Sequence, residues 1–282
     1  MKFKIVAVDI DGTLLDSRGE LPSENASAIR RTVDLGIKVI LVTGRRYGTA
    51  RKVAYSLELD FPLITHNGAL VRYPSDSARL ATWFLSPEIA YEILAVTDPF
   101  LPYIVLHRDK PLQGQMVTHP RSLENRALQG YLEKMPQSVY QLERLEDAIN
   151  DDLIQIMFAG TLSAMSEVEK SFENSGLLEK VKLTKTYYAE KNIGIVDILD
   201  KDCSKRCALE FLAGFYDCQP QEILAIGDNY NDLEMLEYAG VGVVMRNCVD
   251  ELKGKGFEET SSNDDFGVAK TLQRFILSET AI

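Results

Sequence analysis

The chain has 282 residues, 45% of them hydrophobic and 26% charged, which is ordinary for a folded soluble protein with a sizeable core. Its net charge of −11 argues against a nucleic-acid or anionic-membrane partner, because such partners favour a basic face. No apolar run reaches the roughly 18 residues of a transmembrane helix, and the first apolar stretch is too short for a signal peptide. We therefore expect a cytoplasmic protein.

Five short apolar runs, each followed by a polar turn, lie near the two ends of the chain. They comprise residues 4–11, 38–45, 62–68, 222–229 and 240–247. Continuous Val, Ile and Leu runs are typical of strands buried on both faces of a parallel sheet. Helical segments lie between them, one opened by Pro22 or Ser23 and closed by Gly36. This alternation predicts an α/β fold with a doubly wound, Rossmann-like parallel-sheet core.

The middle of the chain has a different pattern. Apolar runs at 103–108 and 153–160 alternate in a way that predicts half-exposed strands with helices on one face. We therefore expect an α+β cap domain at 84–190, inserted into a core formed by 1–83 and 191–282. The four cysteines are predicted to be reduced thiols, because no further Cys or His lies near them at metal-ligand spacing.

Asp9 and Asp11 end the first apolar run and are followed by Gly12 and Thr13. Two carboxylates this close repel each other unless a cation lies between them, which indicates Mg²⁺. The alternative is an ordinary Asp/Gly turn after a strand, because turn chemistry favours the same residues.

Other run ends carry the groups that a bound phosphate needs. Thr43 and Gly44 offer a hydroxyl and a flexible amide, and Lys205, at the start of a predicted helix, offers an ammonium. Asp228 supplies another carboxylate for a hard cation, and Asn231 a carboxamide. Each has an ordinary structural explanation when taken alone. Because strand ends of one parallel sheet meet at one edge, the set together predicts a phosphate and Mg²⁺ site.

These residues fall in segments that resemble the four motifs of the haloacid dehalogenase superfamily, in the same order. The segments are DIDGTLLD (9–16), VTGR (42–45), Lys205 ahead of Ala208-Leu209, and GDNYNDLEML (227–236). Three others further resemble its Cof-type branch, which has an α/β cap between the second and third motifs: ITHNGAL (64–70), AGVGVVMRN (239–247) and SSNDDFGVAKTL (261–272). One departure is Arg246-Asn247-Cys248, where the branch usually has Gly-Asn-Ala.

The resemblance implies a role for each motif residue. Asp9 corresponds to a nucleophile that becomes a transient aspartyl-phosphate, and Asp11 to the general acid/base. The metal would be bound by the carboxylates of Asp9 and Asp228 and by the backbone carbonyl of Asp11. Phosphate contacts would come from the amide of Ile10 and from Thr43, Gly44, Lys205 and Asn231. Asp232 would orient Lys205 or the waters of the metal, and Lys201 is an alternative to Lys205.

The expected function is Mg²⁺-dependent hydrolysis of a small phosphorylated metabolite, such as a sugar phosphate or a phosphorylated cofactor, by a monomer or small homo-oligomer. A phosphotransferase or mutase using the same aspartyl-phosphate is an alternative, as is a phospho-accepting regulatory module. The cap would close over the leaving group and set specificity. His107, Arg108, Arg121, Tyr187 and Tyr188 are its polar or aromatic candidates, although packing or solvation is the better explanation for each of them.

Overall fold

A computed structural model describes residues 3–76, 78–110, 114–133 and 136–280. Within these ranges the strands, in chain order, are β1 (Ile5–Val8), β2 (Lys38–Leu41), β3 (Leu63–Thr65), β4 (Leu70–Arg72), β5 (Arg79–Thr82), β6 (Ile104–Arg108), β7 (Met116–Thr118), β8 (Val139–Gln141), β9 (Leu153–Gly160), β10 (Val181–Tyr188), β11 (Ile193–Asp200), β12 (Ile223–Gly227), β13 (Val241–Val244) and β14 (Glu258–Glu259).

The α-helices alternate with these strands. In chain order they are α1 (Ser23–Asp34), α2 (Tyr47–Ser56), α3 (Pro87–Thr97), α4 (Arg126–Leu132), α5 (Leu162–Ser175), α6 (Lys205–Phe215), α7 (Leu233–Tyr238) and α8 (Gly267–Phe275). None of the helices in the described ranges is long and apolar enough to cross a membrane.

The chain divides into two compact units, and the first is formed by residues 1–81 together with 204–282. Its centre is a five-stranded parallel sheet with the order β14-β13-β12-β1-β2. Val6 and Val8 of β1 pack in a core with helices α1, α2 and α8, whereas Ile5 and Ala7 point to the other face and are also fully buried. The predicted α/β fold with a parallel-sheet core is confirmed.

The third apolar run is not a strand of this sheet, contrary to our expectation. Strand β3 instead pairs antiparallel with β4, in a separate three-stranded sheet with the order β3-β4-β5. A single bridge between Val42 and Ile64 links it to the end of β2. The chain reverses at His66–Gly68, which gives β3 the following segment as its partner.

The second unit comprises residues 82–203 and contains a six-stranded sheet with the order β10-β11-β9-β6-β7-β8. Among the described residues of this sheet, β7 and β8 pair in parallel and the other neighbouring strands pair antiparallel. Strand β9 was predicted to be half-exposed but is buried along its whole length. Residues of α3 and α5 pack on one face, around Phe158, and residues of α4 pack on the other, around Met157.

The second unit extends beyond the predicted boundary at residue 190. Strand β11 lies within 191–203, the stretch that we had placed in the core, and it pairs antiparallel with both β9 and β10. Because these ladders bury Val196 and Ile198 in the second unit, the chain returns to the first unit only at Ser204. None of the four cysteines, all of which lie in the described residues, forms a disulfide.

Candidate active site

Strand β1 delivers Asp9 to the carboxyl edge of the parallel sheet. Its backbone N–H donates to Ile226 of the neighbouring strand at 3.0 Å, and the residue is only 5% exposed. The side chain of Ile10 is buried in the core, so this residue can meet a ligand only through its backbone. Gly12 has a φ of +83°, and a Cβ there would overlap the carboxylate of Asp228. The tight turn after β1 therefore needs glycine.

Lys205 is the first residue of α6, a helix capped by Ser204, whose Oγ accepts from the N–H of Cys207. Its Nζ donates to Asp9 Oδ1 and to Asp232 Oδ1, each at 2.6 Å, and the side chain is 1% exposed. Burial opposes the charged form, but the two carboxylates outweigh it and raise the pKa of Lys205. The lysine therefore remains an ammonium inside the site. Lys201, the alternative, is exposed.

Both carboxylate oxygens of Asp232 accept hydrogen bonds from protein donors. Its Oδ1 accepts from Lys205, and its Oδ2 accepts from the backbone N–H groups of Asp228 and Asn229, at 2.9 and 3.0 Å. A carboxylate with both oxygens engaged in this way holds other groups in place and has little capacity left for a ligand. This geometry is the one expected of a residue that orients Lys205.

Asp228 follows β12, next to β1, and its Oδ1 accepts from the hydroxyl of Thr13 at 2.7 Å. Asp9, Asp228 and Asp232 are all buried, and each offers one carboxylate oxygen within 4.8 Å of the others. Burial raises the pKa of Asp9 to about 7, and burial together with the charges of Asp9 and Asp232 raises the pKa of Asp228. Three crowded carboxylates against one ammonium leave an excess of negative charge, which suits a divalent cation.

The residues after β2 form the next part of the site. The backbone N–H of Thr43 donates to Ile64, and its hydroxyl accepts from the N–H of Arg45 at 3.0 Å. Arg45 in turn donates from Nε and Nη2 to the two oxygens of Asp11, both at 2.6 Å. The side chain of Asp11 is thereby held apart from the acidic cluster, and 38% of it is exposed.

Asn231 lies between β12 and α7, and its Nδ2 donates to Oδ1 of Asn67 at 2.8 Å. Asn67 comes from the turn after β3 and also lies against Gly44. All the residues that the sequence predicted for the site lie in the first unit: Asp9, Ile10, Asp11, Thr43, Gly44, Lys205, Asp228, Asn231 and Asp232.

Three further residues that support the site had no predicted role. Thr13 binds Asp228, and Asn247 donates from Nδ2 to the carbonyl of Gly12 at 2.8 Å. Asn263 donates from its backbone to Asn247 and from its side chain to the carbonyl of Leu15. Each lies in one of the sequence segments that resemble the family. That resemblance is the feature of the sequence from which these three residues could have been identified. The segment Arg246-Asn247-Cys248 departs from the usual Gly-Asn-Ala but keeps the asparagine. The hydrogen bond from Asn247 to the turn that follows Asp9 is therefore present.

Most of the second-unit residues that we considered as candidates for substrate specificity form side-chain contacts with other residues of that unit. Arg108 pairs with Asp152 at 2.6 Å, His107 contacts the hydroxyl of Tyr131 at 3.3 Å, and Tyr187 donates to Glu169. Arg121 differs, because it lines a cavity of about 730 Å³. Tyr103, Arg126 and Lys191 line the same cavity.

Known proteins resemble this chain along nearly its whole length. The family of haloacid dehalogenase-like hydrolases matches residues 6–272. Among curated proteins of Bacillus subtilis, the stress response protein YhaX is 31% identical over 98% of this chain and 94% of its own length. The 5-amino-6-(5-phospho-D-ribitylamino)uracil phosphatase YwtE is 30% identical over 99% of this chain and 100% of its own.

A solved structure shows the same fold. It is that of a haloacid dehalogenase-like hydrolase from B. subtilis, which covers 97% of this chain and 100% of its own, with a TM-score of 0.81 and 24% identity. The chain therefore belongs to the haloacid dehalogenase-like hydrolases, and the prediction of a phosphatase enzyme of this family is confirmed.

Proposed function

We propose that the protein hydrolyses small phosphorylated metabolites with the help of Mg²⁺, through an aspartyl-phosphate formed on Asp9. One observation carries this proposal: Lys205 holds Oδ1 of Asp9 at 2.6 Å, while Oδ2 has no hydrogen-bond partner within the described residues. An oriented carboxylate oxygen in a buried, cation-lined site is suited to attack a phosphoryl group, provided that the charge of the phosphoryl oxygens is offset.

Mg²⁺ fits the donors that the site offers, because hard cations of this kind prefer carboxylate and carbonyl oxygens. Asp9 and Asp228 would bind the ion through their carboxylates and Asp11 through its backbone carbonyl. Asp232 is left out because Lys205 and two backbone amides already occupy it. When bound, the ion would offset the negative charge of the carboxylates and of the phosphoryl oxygens.

The reaction has two displacements at phosphorus. In the first, Asp9 Oδ2 attacks, the bond from phosphorus to the ester oxygen breaks, and that oxygen takes a proton from the Asp11 carboxyl group, which must first leave Arg45. In the second, a water gives a proton to Asp11 and attacks phosphorus, which releases inorganic phosphate and restores the Asp9 carboxylate. Lys205, Thr43 and Asn231 would donate to the phosphoryl oxygens in both steps.

The relatives supply a starting point for the substrate. YwtE is named as a phosphatase of a phosphorylated ribitylaminouracil, which is a small molecule with one phosphomonoester. We propose the same class here, that is a sugar or sugar-like phosphate or a phosphorylated cofactor precursor. The second unit, as a cap, would choose among them. The protein would act as a monomer or small homo-oligomer in the cytoplasm.

Steady-state hydrolysis of p-nitrophenyl phosphate tests the function. We expect multiple turnovers with Mg²⁺, loss of activity on chelation with EDTA, and recovery when Mg²⁺ is restored. Asp9→Asn should lower kcat by at least about 100-fold, whereas the matched change Asp34→Asn, at an exposed aspartate of α1, should leave it unchanged. Absence of turnover in the wild type would overturn the proposal. A panel of phosphorylated metabolites ranked by kcat/KM then identifies the substrate class.

A further inference from the structure

The turn His66–Gly68 contacts several parts of the phosphate site, although no role was assigned to it. It is built from three consecutive residues with positive φ: 51° for His66, 55° for Asn67 and 108° for Gly68. Residues other than glycine seldom adopt this conformation, and consecutive ones are held in it only by their surroundings. His66 and Asn67 are nevertheless buried, with 6% and 2% exposed. The surrounding contacts therefore fix the turn.

Backbone hydrogen bonds tie this turn to the segment after β2. The N–H of Asn67 donates to the carbonyl of Thr43 at 3.1 Å, and the N–H of His66 donates to the carbonyl of Arg45 at 3.0 Å. A Cβ placed on Gly44 would lie 2.9 Å from Oδ1 of Asn67. The side-chain amide of Asn67 therefore packs directly on the backbone at Gly44.

The same turn reaches two more elements of the site. A Cβ on Gly68 would overlap the carbonyl of Ser204, the residue that caps the helix beginning with Lys205. Oδ1 of Asn67 accepts from Nδ2 of Asn231 at 2.8 Å. The turn thus contacts the three separate segments that carry Gly44, Lys205 and Asn231.

We propose that Asn67 is a positioning residue for phosphate binding, which acts by fixing the carboxamide of Asn231. An amide nitrogen has two hydrogens, and Asn231 gives one of them to Asn67. Within the described residues the other is not donated to the protein, so it is available for a phosphoryl oxygen. The inference rests on the proposed function, because it needs Asn231 to contact the phosphoryl group.

A double-mutant cycle tests this inference. Asn67→Gly removes the side chain but allows the positive φ, and it should raise both KM for p-nitrophenyl phosphate and Ki for inorganic phosphate about tenfold. In an Asn231→Ala background the same change should have little further effect, because the group that it positions is gone. Asn192→Gly is a matched control at an exposed residue with φ of 49° and should change neither constant.

Equal losses from Asn67→Gly in both backgrounds would overturn the inference, because they would show that Asn67 acts without Asn231. If Asn67→Gly does not fold, a crystal structure of the wild type with orthovanadate decides. We expect Asn231 to keep its bond to Asn67 and to donate its other hydrogen to a vanadate oxygen, and rotation of Asn231 away from Asn67 would refute the inference. Failure of the proposed function is distinct, because the wild type itself would then lack turnover.

Discussion

Lys205 forms two short ion pairs, with Asp9 and Asp232, and its side chain is only 1% exposed. Replacing it with methionine leaves Asp9 and Asp232 without their counter-charge, so Lys205→Met should lower the free energy of unfolding by about 3–5 kcal/mol at pH 8. The matched control is Lys180→Met, because Lys180 pairs with Glu92 at the same 2.6 Å but both side chains are about half exposed. That change should cost less than about 1 kcal/mol. Urea denaturation measures both.

The loss of unfolding free energy in Lys205→Met should depend on pH, unlike that in Lys180→Met. Lowering the pH to 5 lets the uncompensated carboxylates of the Lys205→Met protein take up protons, so its deficit in unfolding free energy should shrink. The deficit of Lys180→Met should change little. Equal stability of the two variants at pH 8 would show that the buried ion pairs of Lys205 contribute no more to folding than the exposed pair of Lys180.

Alanine substitutions at Gly12 and Gly19 separate the effect of backbone strain from that of steric overlap. Both have φ near +80°, but a Cβ on Gly12 would overlap Asp228, whereas a Cβ on Gly19 has nothing within 4 Å. Each change to alanine should cost about 1–2 kcal/mol for the left-handed conformation. Only Gly12→Ala should also lower kcat/KM, by about 100-fold, because it displaces a proposed metal ligand. Similar kcat/KM values for the two variants would contradict this account.

His66 gives stability a defined dependence on pH. Burial, aided by the charges of Arg46 and Arg72, lowers the pKa of His66 to about 3. Below the ordinary value of 6.5 the unfolded chain therefore binds a proton that the folded chain does not. Stability should fall as the pH drops from 6.5 towards 3, with up to about 1.4 kcal/mol per pH unit from this group.

The variant His66→Asn isolates this contribution, because asparagine also tolerates the positive φ at this position. Urea denaturation at pH 7.5, 6 and 5 should show a steeper loss for the wild type than for the variant. Parallel pH profiles for the two proteins would show that His66 is not held neutral by the fold.

At the level of elements, the first turn of α6 sets the position of Lys205. The hydroxyl of Ser204 accepts from Cys207 at 3.1 Å, so Ser204→Ala should cost about 1 kcal/mol and also lower kcat, because the helix begins with Lys205. Ser86 caps α3 in the second unit in the same way. Ser86→Ala should have a similar cost, measured by thermal unfolding, with kcat retained. Equal kcat losses for both variants would argue against a local effect at Lys205.

The sequence was a good guide where a local pattern determines an element. Runs of Val, Ile and Leu identify β1, β2, β12 and β13, because a strand covered on both faces needs apolar residues throughout. The same pattern placed β3 in the wrong sheet, since its partner is decided by the reversal at His66–Gly68. Strand β14 was missed because both of its residues are exposed glutamates.

The candidate site followed from residue types in a fixed order at strand ends. Asp9, Lys205 and Asp228 could be found in this way. The contact of Asn67 with Asn231 could not, because it joins positions 164 residues apart and depends on the conformation of a buried turn. The hydrogen bonds of Asn247 and Asn263 to the segment after β1 could not be predicted either, because they also join positions that are far apart in the sequence.

Considered as a whole molecule, the chain builds its site from two segments separated by the entire second unit. Asp9 and Thr43 come from residues 1–81, whereas Lys205 and Asp228 come from 204–282. A phospho-accepting regulatory module has no need of such an insertion, and the family match across residues 6–272 sets that alternative aside. A mutase would share the aspartyl-phosphate but transfer it to a second substrate, so release of inorganic phosphate separates the two.

Detection of the phosphorylated enzyme tests the central claim most directly. The Asp11→Asn protein, which lacks the proposed base for the second step, is mixed with p-nitrophenyl phosphate and Mg²⁺, quenched in acid and digested for mass spectrometry. We predict one added phosphoryl group on the peptide that contains Asp9, and none when Asp9→Asn is introduced as well. Turnover by the wild type with no phosphoryl group on Asp9 in the Asp11→Asn protein, or with the label on another residue, would contradict the account.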